Sequence, residues 1–573
     1  MSCLKLETGP SKSNLLCALL FLSSLILLNV AGCSGSKDKN PGENTCGSHD
    51  YHFESVIPGP LEHGYDAALE AKAFRFDRQF HVFHTFATGM SCDLSVPMEW
   101  TKKREAIRSF LQDTDSWDFE AETGYKVTDV VSAWHISPGA YAGAGIAADA
   151  FRYGTLRDQG YDCEEVVRAR KQLLAGLDGL HIAKAITGTP GVIARAIARK
   201  DLPGDGRAET TPLFDGNGNP LPEEKNNGTW REDNSGGLYP DFVWVDSCSR
   251  DMYIGWALAF GAAFEVIHDD PEIDDSYKER LAEDARDLAE GLMVVHHRDK
   301  GDFDLEIPDA DGRTTFHGYM NENNLERAYL PGVDNGFYAL MALGAVSALA
   351  DASGDQKIRD YLENELIGKR KLHEIARDHM ITVDAGVGSN YSNYNMAFDG
   401  AWLSSRHLKV DDARKAITVT VDKQLYNRPN RERQPIEQKQ TFYDFVWAIA
   451  KSGEGAGIQP VGGVDRDAVQ RGLETLQEFW KPPFFDEARV NCDEEEIATR
   501  VCKGIDGTTL DIHPDLGRGG KVVSVQPVPM RIRPASNYYW RSNPYEVNGG
   551  GGGALIPGVD FRFAYWMGRW ARK

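Results

Sequence analysis

Residues 243–267 have the sequence VWVDSCSRDMYIGWALAFGAAFEVI. From Ser249 onwards, large apolar side chains recur every three or four positions, as at Tyr253, Trp256 and Phe260. This spacing is typical of an amphipathic α-helix that packs into a core. The stretch therefore predicts a buried helix that follows a polar loop.

The same order of a cap, a helical period and a Gly or Pro stop recurs between residues 137 and 480. We expect helices to start at Ser137-Pro138, Ser276, Asp334 and Asp355, where capping residues precede an apolar period. Further helical periods cover Cys163 to Ile186 and residues 395–407, 411–425, 439–451 and 465–480. Strand-like alternation is nearly absent, so the sequence predicts a mainly α fold.

Successive helices with short connections pack as antiparallel hairpins. No internal repeat of fixed period is present, which disfavours a solenoid. Helical hairpins without a repeat therefore predict a closed α/α toroid, with a cleft at one end formed by helix N-termini and long loops. Residues 187–246 and 298–333 are the long loops, and their length exceeds that of ordinary connections.

Three stretches occur in a familiar order: TGTPGVIAR at 187–195, VWVDSCSRD at 243–251, and Asp334-Asn335-Gly336. Together they resemble bacterial six-hairpin proteins of the (α/α)6-toroid type, which are related in architecture to glycoside hydrolases and polysaccharide lyases. The resemblance covers roughly residues 130–450. It implies a toroid with a carbohydrate substrate, and it is more specific for the fold than for the chemistry.

The N-terminus has the features of an export signal. Two lysines, Lys5 and Lys12, precede an apolar run from Leu15 to Val30, which is shorter than the run of about 20 residues that spans a membrane. The run ends in Val30-Ala31-Gly32-Cys33, which resembles a bacterial lipobox and predicts a lipid on Cys33. We therefore expect a membrane-anchored lipoprotein of the bacterial cell envelope, facing the periplasm or the cell surface. The alternative is a plain signal peptide that contains a cysteine.

This predicts four segments: a signal peptide at 1–32, a lipidated tether at 33–60, a toroid domain at 61–480 and a closing segment at 481–573. The last segment is rich in Gly, Pro and aromatic residues, with a strand predicted at 521–525. We expect it to lie over the toroid with little regular structure.

Charge and composition exclude several classes of partner. The chain has 63 basic and 86 acidic residues, for a net charge of −23, so nucleic acid is not expected as a partner. No zinc spacing is present, and Asp215–Asn219 and Asp309–Gly312 lack the terminal Glu of a calcium loop. We expect no metal and no cofactor.

Nine cysteines are present, of which six remain after the signal peptide and Cys33 are set aside. In an exported protein these are expected to form disulfides, although the sequence does not fix their connectivity. Cys492 and Cys502 form the favoured local pair.

Asp246 and Asp251 are the predicted catalytic residues. They flank the start of the helix that begins near Ser249, where two carboxyl groups could act as general acid and general base of a glycosidase. The alternative is structural, because Asp in a first helical turn caps free N–H groups and favours the helix dipole.

Five residues are predicted to bind the substrate: His135, Arg195, Arg250, Tyr253 and Asp334. An arginine fork suits a carboxylate or a sulfate, although each arginine could instead pair with Asp246 or Asp251. His135 could also be a structural hydrogen-bonding residue. Glu322 and Glu326 are secondary carboxylate candidates.

These features are compatible with three alternative functions. The leading hypothesis is glycoside hydrolysis of a polysaccharide or oligosaccharide by a surface lipoprotein. The second is β-elimination from a uronic-acid glycan, with His135 or Tyr253 as base and an arginine neutralising the carboxylate. The third is a glycan- or protein-binding lipoprotein without catalysis.

Overall fold

The computed structural model describes residues 54–573 except 205–206, 208, 223–225, 331, 382–384, 429–430, 453–464, 536–542 and 573. The predicted signal peptide, Cys33 and most of the tether lie outside the described residues.

Helices dominate the described structure, which confirms the mainly α prediction. The α-helices are α1 (Ala67–Gln79), α2 (Thr101–Asp113), α3 (Phe119–Thr123), α4 (Val127–Val130), α5 (Gly139–Asp158), α6 (Cys163–Ala185), α7 (Arg250–Ile267), α8 (Asp275–Leu292), α9 (Gly336–Ser353), α10 (Gln356–Asp360), α11 (Leu372–Asp378), α12 (Tyr391–His407), α13 (Asp411–Thr420), α14 (Thr441–Ser452), α15 (Arg466–Glu478), α16 (Glu494–Thr499) and α17 (Val559–Trp570). Short π-helical segments extend α1, α10 and α13 at Phe80–His84, Tyr361–Lys369 and Val421–Tyr426.

The strands are short and mostly two to four residues long. They are β1 (Leu94–Ser95), β2 (Ala133–Trp134), β3 (Ser137–Pro138), β4 (Ala196–Arg199), β5 (Trp230–Arg231), β6 (Phe242–Val245), β7 (His296–Arg298), β8 (Gly301–Phe303), β9 (Glu306–Pro308), β10 (Thr314–Tyr319), β11 (Asn324–Leu325), β12 (Ala328–Tyr329), β13 (Val501–Lys503), β14 (Thr509–Asp511) and β15 (Ala554–Leu555).

Six of the helices form a closed ring, which we call the inner ring. In order around the ring they are α5, α7, α9, α12, α14 and α17, and α17 packs back against α5. The outer helices include α6, α8, α11, α13, α15 and α1, each of which packs against at least one inner helix. Because an outer helix returns the chain between inner helices, the inner helices run parallel. The toroid predicted from the sequence is therefore confirmed by helix packing.

Small residues explain the tight contact between α5 and α7. A Cβ atom on Gly143 would lie 1.8 Å from the carbonyl oxygen of Gly255, which is closer than atoms can approach. The Gly- and Ala-rich sequence of α5 thus lets two inner helices meet backbone to backbone. At their start, Gly139 faces Met252 and Trp256, and near their end Gly154 faces Val266, in keeping with parallel helices.

Aromatic side chains close the ring towards its C-terminal end. The ring of Phe151 on α5 lies 6.1 Å from that of Trp402 on α12, which is the opposite inner helix. Phe563 and Trp570 of α17 each lie 6.3 Å from Phe151, measured between ring centroids. The part of the ring around Phe151 is therefore a packed core, and the end where the inner helices begin bears the small sheets and long loops.

We call that end the mouth. It is formed by the first residues of the inner helices: Gly139, Arg250, Gly336, Tyr391, Thr441 and Val559. One small sheet at this end has the strand order β15-β1-β2 and precedes α17 and α5. A second, β3-β4-β6-β5, precedes α5 and α7.

These sheets correct the expectation that strands are nearly absent. The predicted loop 187–246 contains β4, β5 and β6, and 298–333 contains β8 to β12. Strands of two to four residues include too few alternations to produce a detectable period of two. The strand predicted at 521–525 is not formed, since this region contributes only isolated bridges at Val523 and Ser524.

Three predicted helix starts also need correction. Ser137-Pro138 forms β3, and α5 begins at Gly139 without a side-chain cap. Asn335, and not Asp334, caps α9 through the backbone N–H of Tyr338. Asp274, and not Ser276, caps α8.

The predicted closing segment supplies part of the ring. Although 481–573 includes much irregular chain, its helix α17 is the sixth inner helix, so residues 61–480 alone do not complete the toroid. The predicted disulfide between Cys492 and Cys502 is confirmed. Cys163 is also disulfide-bonded, whereas Cys92 and Cys248 are buried free thiols in the described chain.

One helix of the described chain, α9, is long and apolar enough to cross a membrane by length and composition. It is entirely buried in the inner ring.

Candidate active site

Carboxyl groups and a histidine meet at the mouth above α17 and α5. In the first sheet, Leu94 of β1 pairs with Trp134 on one side and with Leu555 on the other. This register brings Asp93 next to His135, whose backbone N–H donates to the Asp93 carbonyl at 2.9 Å. The chain after Leu555 leads into Asp560 in the first turn of α17.

Asp93 and Asp560 have different surroundings. The Asp93 side chain is exposed, yet protein atoms surround it closely enough that burial raises its pKa, while His135 opposes the increase. Both properties fit a group that lines a recess. Asp560 is buried, and burial raises its pKa to about 8, with the charge of Asp93 adding to the increase. Asp560 is therefore protonated at neutral pH.

His135, one of the predicted binding residues, thus lies beside a carboxyl group that the sequence did not single out. Its Nε2 atom lies 2.9 Å from Oγ of Ser95.

Arg195 and Asp251 are connected through Ser249 above α5 and α7. Nη1 of Arg195 donates to Oγ of Ser249 at 2.7 Å, and that hydroxyl donates to Oδ1 of Asp251. The turn before Arg195 requires glycine at Gly188, which has a φ of +63° and whose Cβ would lie 2.0 Å from the Asn234 carbonyl oxygen. The predicted stretches 187–195 and 243–251 therefore do meet in one place.

Asp246 is held in a buried ion pair. Its Oδ1 accepts from the backbone N–H of Thr229 at 2.6 Å, and its Oδ2 accepts from Nε of Arg231 at 2.7 Å. Both side chains are almost fully buried. Burial raises the pKa of Asp246 although Arg231 opposes the increase. Both carboxylate oxygens of Asp246 thus accept hydrogen bonds that hold β5 against β6. The catalytic role predicted for Asp246 stays a prediction.

Two further carboxyl groups lie near Asp246. Asp309 accepts from the backbone N–H of Ser247 at 3.1 Å. Burial and the charges of Asp246 and Asp311 raise the pKa of Asp309 to about 7. Asp309 and Asp311, which the sequence analysis considered only as part of a rejected calcium loop, are both buried.

Arg250 begins α7 and lies against α9. The guanidinium carbon of Arg250 is 4.6 Å from the ring centroid of Tyr338, and Nη1 donates to the Tyr319 carbonyl at 3.4 Å. Nη2 lies 3.8 Å from Oε2 of Glu326. Arg250 therefore has one long hydrogen bond and one loose ion pair.

His317 lies in the same group of charges. Burial lowers its pKa, Arg250 lowers it further, and Glu326 and Asp251 oppose the decrease. One of its ring nitrogens, Nε2, is 2.6 Å from Oδ1 of Asn226. The imidazole is thus neutral at neutral pH and lies at the mouth.

The other predicted residues contact different partners. Tyr253 is buried in the core and donates to the Leu288 carbonyl on α8 at 3.1 Å, so the structure does not bring it to the mouth. Asp334 lies 3.9 Å from Nε2 of His379. Glu322, a secondary candidate, is locked in a bidentate ion pair with Arg370.

Sequence reasoning missed Asp93, Asp560 and His317. Asp93 and Asp560 come together only through the pairing of β1 with β15, which are more than 450 residues apart. His317 belongs to a strand that was predicted as loop. Only Asp560, an acidic residue at the start of an apolar helical period, left a recognisable signal.

Among the described residues, one group of potential metal ligands stands close together: Cys492, Glu496 and Cys502. The two sulfurs of this group are joined in the disulfide.

No family model matches the chain, and no curated protein matches it. Among solved structures, it matches the endoglucanase CelQ from Clostridium thermocellum complexed with cellotetraose at 13% identity, over 76% of this chain and 63% of CelQ, with a TM-score of 0.34. The chain thus spans less than two thirds of CelQ. It matches the cellulase Cel9M of C. cellulolyticum at 10% identity, over 88% of this chain and 98% of Cel9M, with a TM-score of 0.37. The assignment of the toroid rests on the inner ring itself.

Proposed function

We propose that this protein is an enzyme that hydrolyses glycosidic bonds of a polysaccharide or oligosaccharide at the mouth of the toroid. The observation that carries the proposal is the pair of Asp560, a buried carboxyl group with a pKa of about 8, and Asp93, an exposed carboxyl group beside it. A glycosidase needs one protonated and one ionised carboxyl group at the scissile bond.

In this proposal Asp560 is the general acid that protonates the leaving oxygen. Asp93 is the carboxylate that activates water or attacks the sugar, since its side chain is open to solvent. Asp251 is a further carboxylate at the mouth, and its hydrogen bond from Ser249 orients it. The pair Asp246 and Asp251 predicted from the sequence is kept as the alternative assignment.

We further propose that the enzyme is located in the bacterial cell envelope. The lipobox-like end of the signal at Cys33 supports an enzyme that is lipidated after export and held at a membrane, where polymeric glycans are accessible.

A second candidate, β-elimination from a uronic-acid glycan, is favoured by one arrangement. His317 has a lowered pKa and is electrostatically coupled to Arg250 and Arg195. A neutral imidazole can abstract a proton next to a carboxylate that an arginine neutralises. His317 is better placed for this role than the predicted bases His135 and Tyr253.

The test is a screen of the purified protein against a panel of neutral and acidic polysaccharides, with products analysed by mass. Hydrolysis adds one water per cleaved bond, whereas elimination leaves an unsaturated sugar that absorbs in the ultraviolet. Asp560→Asn and Asp93→Asn should each lower hydrolysis about 10²- to 10⁴-fold. Asp412→Asn, an exposed change on α13, is the matched control.

Unsaturated products would show that the protein is a lyase and not a hydrolase. Normal turnover in both Asn variants would refute Asp93 and Asp560 as the catalytic pair.

A further inference from the structure

We propose that the substrate carries an anionic group that binds Arg250, and that Glu326 occupies the place of that group when no substrate is bound. This inference rests on the proposed function and adds the class of substrate, which is a glycan with carboxylate or sulfate groups.

The first observation is that Arg250 is buried without enough partners. Its side chain is 8% exposed, and within the described structure its Nε atom has no hydrogen-bond partner. Among the described residues its guanidinium donates one hydrogen bond, to the Tyr319 carbonyl, and this bond is long at 3.4 Å. A buried guanidinium has five N–H donors, and leaving them unsatisfied is costly unless a ligand completes the set.

The second observation is the position of Glu326. It lies in the two-residue turn between β11 and β12, and its side chain is 66% exposed. Its carboxylate oxygen is 3.8 Å from Nη2 of Arg250, which is too long for a hydrogen bond. Glu326 therefore compensates the charge of Arg250 while forming no strong bond, and an exposed side chain can move away at little cost.

The third observation is the support behind Arg250. Tyr338 on α9 lies under the guanidinium, and the backbone N–H of Glu326 interacts with the Tyr338 hydroxyl. The plane of the guanidinium is thus fixed by an aromatic ring, which suits bidentate binding of a planar carboxylate or of two sulfate oxygens. Arg195, linked to the same helix start through Ser249, adds a second positive charge nearby.

These observations point to an anion with at least two oxygens, and a uronate and a sulfate ester share that chemistry. A neutral glycan offers Arg250 only uncharged hydroxyl acceptors, which form weaker hydrogen bonds with a guanidinium than a carboxylate or sulfate does and cannot replace the charge of Glu326. The acidic glycan should therefore bind more tightly than a neutral glycan of the same length.

The experiment is calorimetric titration of the purified protein with tetragalacturonate, with a κ-carrageenan tetrasaccharide and with neutral cellotetraose. The expected result is tighter binding of at least one acidic probe than of cellotetraose, and which probe binds separates carboxylate from sulfate. Arg250→Gln and Arg250→Lys should weaken binding of that probe about tenfold or more. Glu326→Gln should strengthen it about threefold or more, because the competing carboxylate charge is lost.

Arg286→Gln and Glu290→Gln on the outer helix α8 remove the same charges elsewhere and should change the affinity less than about twofold. If Arg250→Gln does not fold, as judged by its melting curve, the affinity of Glu326→Gln for the acidic probe tests the inference by itself, since Glu326 is exposed.

No preference for either acidic probe, or unchanged affinity in Glu326→Gln, would overturn the inference. Because binding is measured without turnover, failure of the hydrolase proposal would appear separately, as acidic-glycan binding that is retained without cleavage.

Discussion

Arg250 is stacked on Tyr338, with 4.6 Å between the guanidinium carbon and the ring centroid, so the first residue of α7 contacts the first turn of α9. This contact joins the neighbouring inner helices α7 and α9 at the mouth, through side chains in their first turns. The same residues lie beside His317 and Glu326, so packing of the ring and construction of the site depend on the same contact.

The ion pair of Asp246 distinguishes it from Asp251. Asp246→Asn should lower the free energy of unfolding by about 3–5 kcal/mol, because Arg231 would remain buried without its counter-charge. Asp251→Asn should cost less than about 1 kcal/mol, since the Asn amide oxygen can still accept the hydrogen bond from the Ser249 hydroxyl. Urea denaturation of both variants measures the difference. Equal stabilities would contradict the positioning role of Asp246.

The same two variants test the catalytic prediction on a confirmed substrate. A general acid or base contributes about 10²–10⁴-fold, so a loss of that size in folded Asp251→Asn would assign it to the chemistry. Near-normal turnover in both variants would leave Asp93 and Asp560 as the pair.

The buried carboxyl group of Asp560 should make stability depend on pH. Its pKa is about 8 in the folded protein, against about 3.9 for an unperturbed Asp, so between pH 4 and 8 the folded state keeps a proton that the unfolded state has lost. Stability from this group therefore falls as pH rises through that window, by several kcal/mol at most. Asp560→Asn should remove this part of the slope. Parallel slopes for Asp560→Asn and Asp412→Asn would show that the raised pKa is absent.

The backbone contact between α5 and α7 should be intolerant of a side chain. Gly143→Ala places a Cβ 1.8 Å from the Gly255 carbonyl oxygen and should destabilise the protein by about 2 kcal/mol or more. Gly216→Ala, at a position where a Cβ meets nothing within 4 Å, should change stability by less than about 0.5 kcal/mol. Thermal unfolding compares the two. An unaffected Gly143→Ala would mean that the helices are further apart.

Removal of the Cys492–Cys502 disulfide should destabilise the C-terminal hairpin. The cysteines are separated by 10 residues, and a loop of that size contributes about 2–3 kcal/mol by restricting the unfolded chain. The double change to Ala isolates this bridge from that of Cys163, and peptide mapping without reductant checks the pairing. Two free thiols in the unchanged protein would contradict it.

Lipidation is tested by Cys33→Ala, which should abolish labelling with a fatty-acid probe and release the protein from the membrane. Undiminished label on the variant would refute the anchor.

Much of the ring could be predicted from the sequence because its helices have strong apolar periods. The period through Tyr253, Trp256 and Phe260 correctly predicted α7, and the Asp355 cap correctly predicted α10. The strands at the mouth could not be predicted, because their partners are distant in sequence and each strand is too short for a pattern. The same distinction applies to the candidate site, where contacts near a helix start could be predicted and contacts made by strand pairing could not.

Contact between Arg195 and the 243–251 stretch could be predicted, because arginine and aspartate tend to pair, and the observed link between Arg195 and Asp251 runs through Ser249. The pairing of Asp93 with Asp560 depends on β1 meeting β15, for which no local pattern exists.

The aromatic contacts of Phe151 with Trp402, Phe563 and Trp570 have a further consequence. They fill the axis of the inner ring, so among the described residues no channel runs through the ring at this level. A glycan bound at the mouth, as we propose, would therefore have to approach and leave on the same side of the ring.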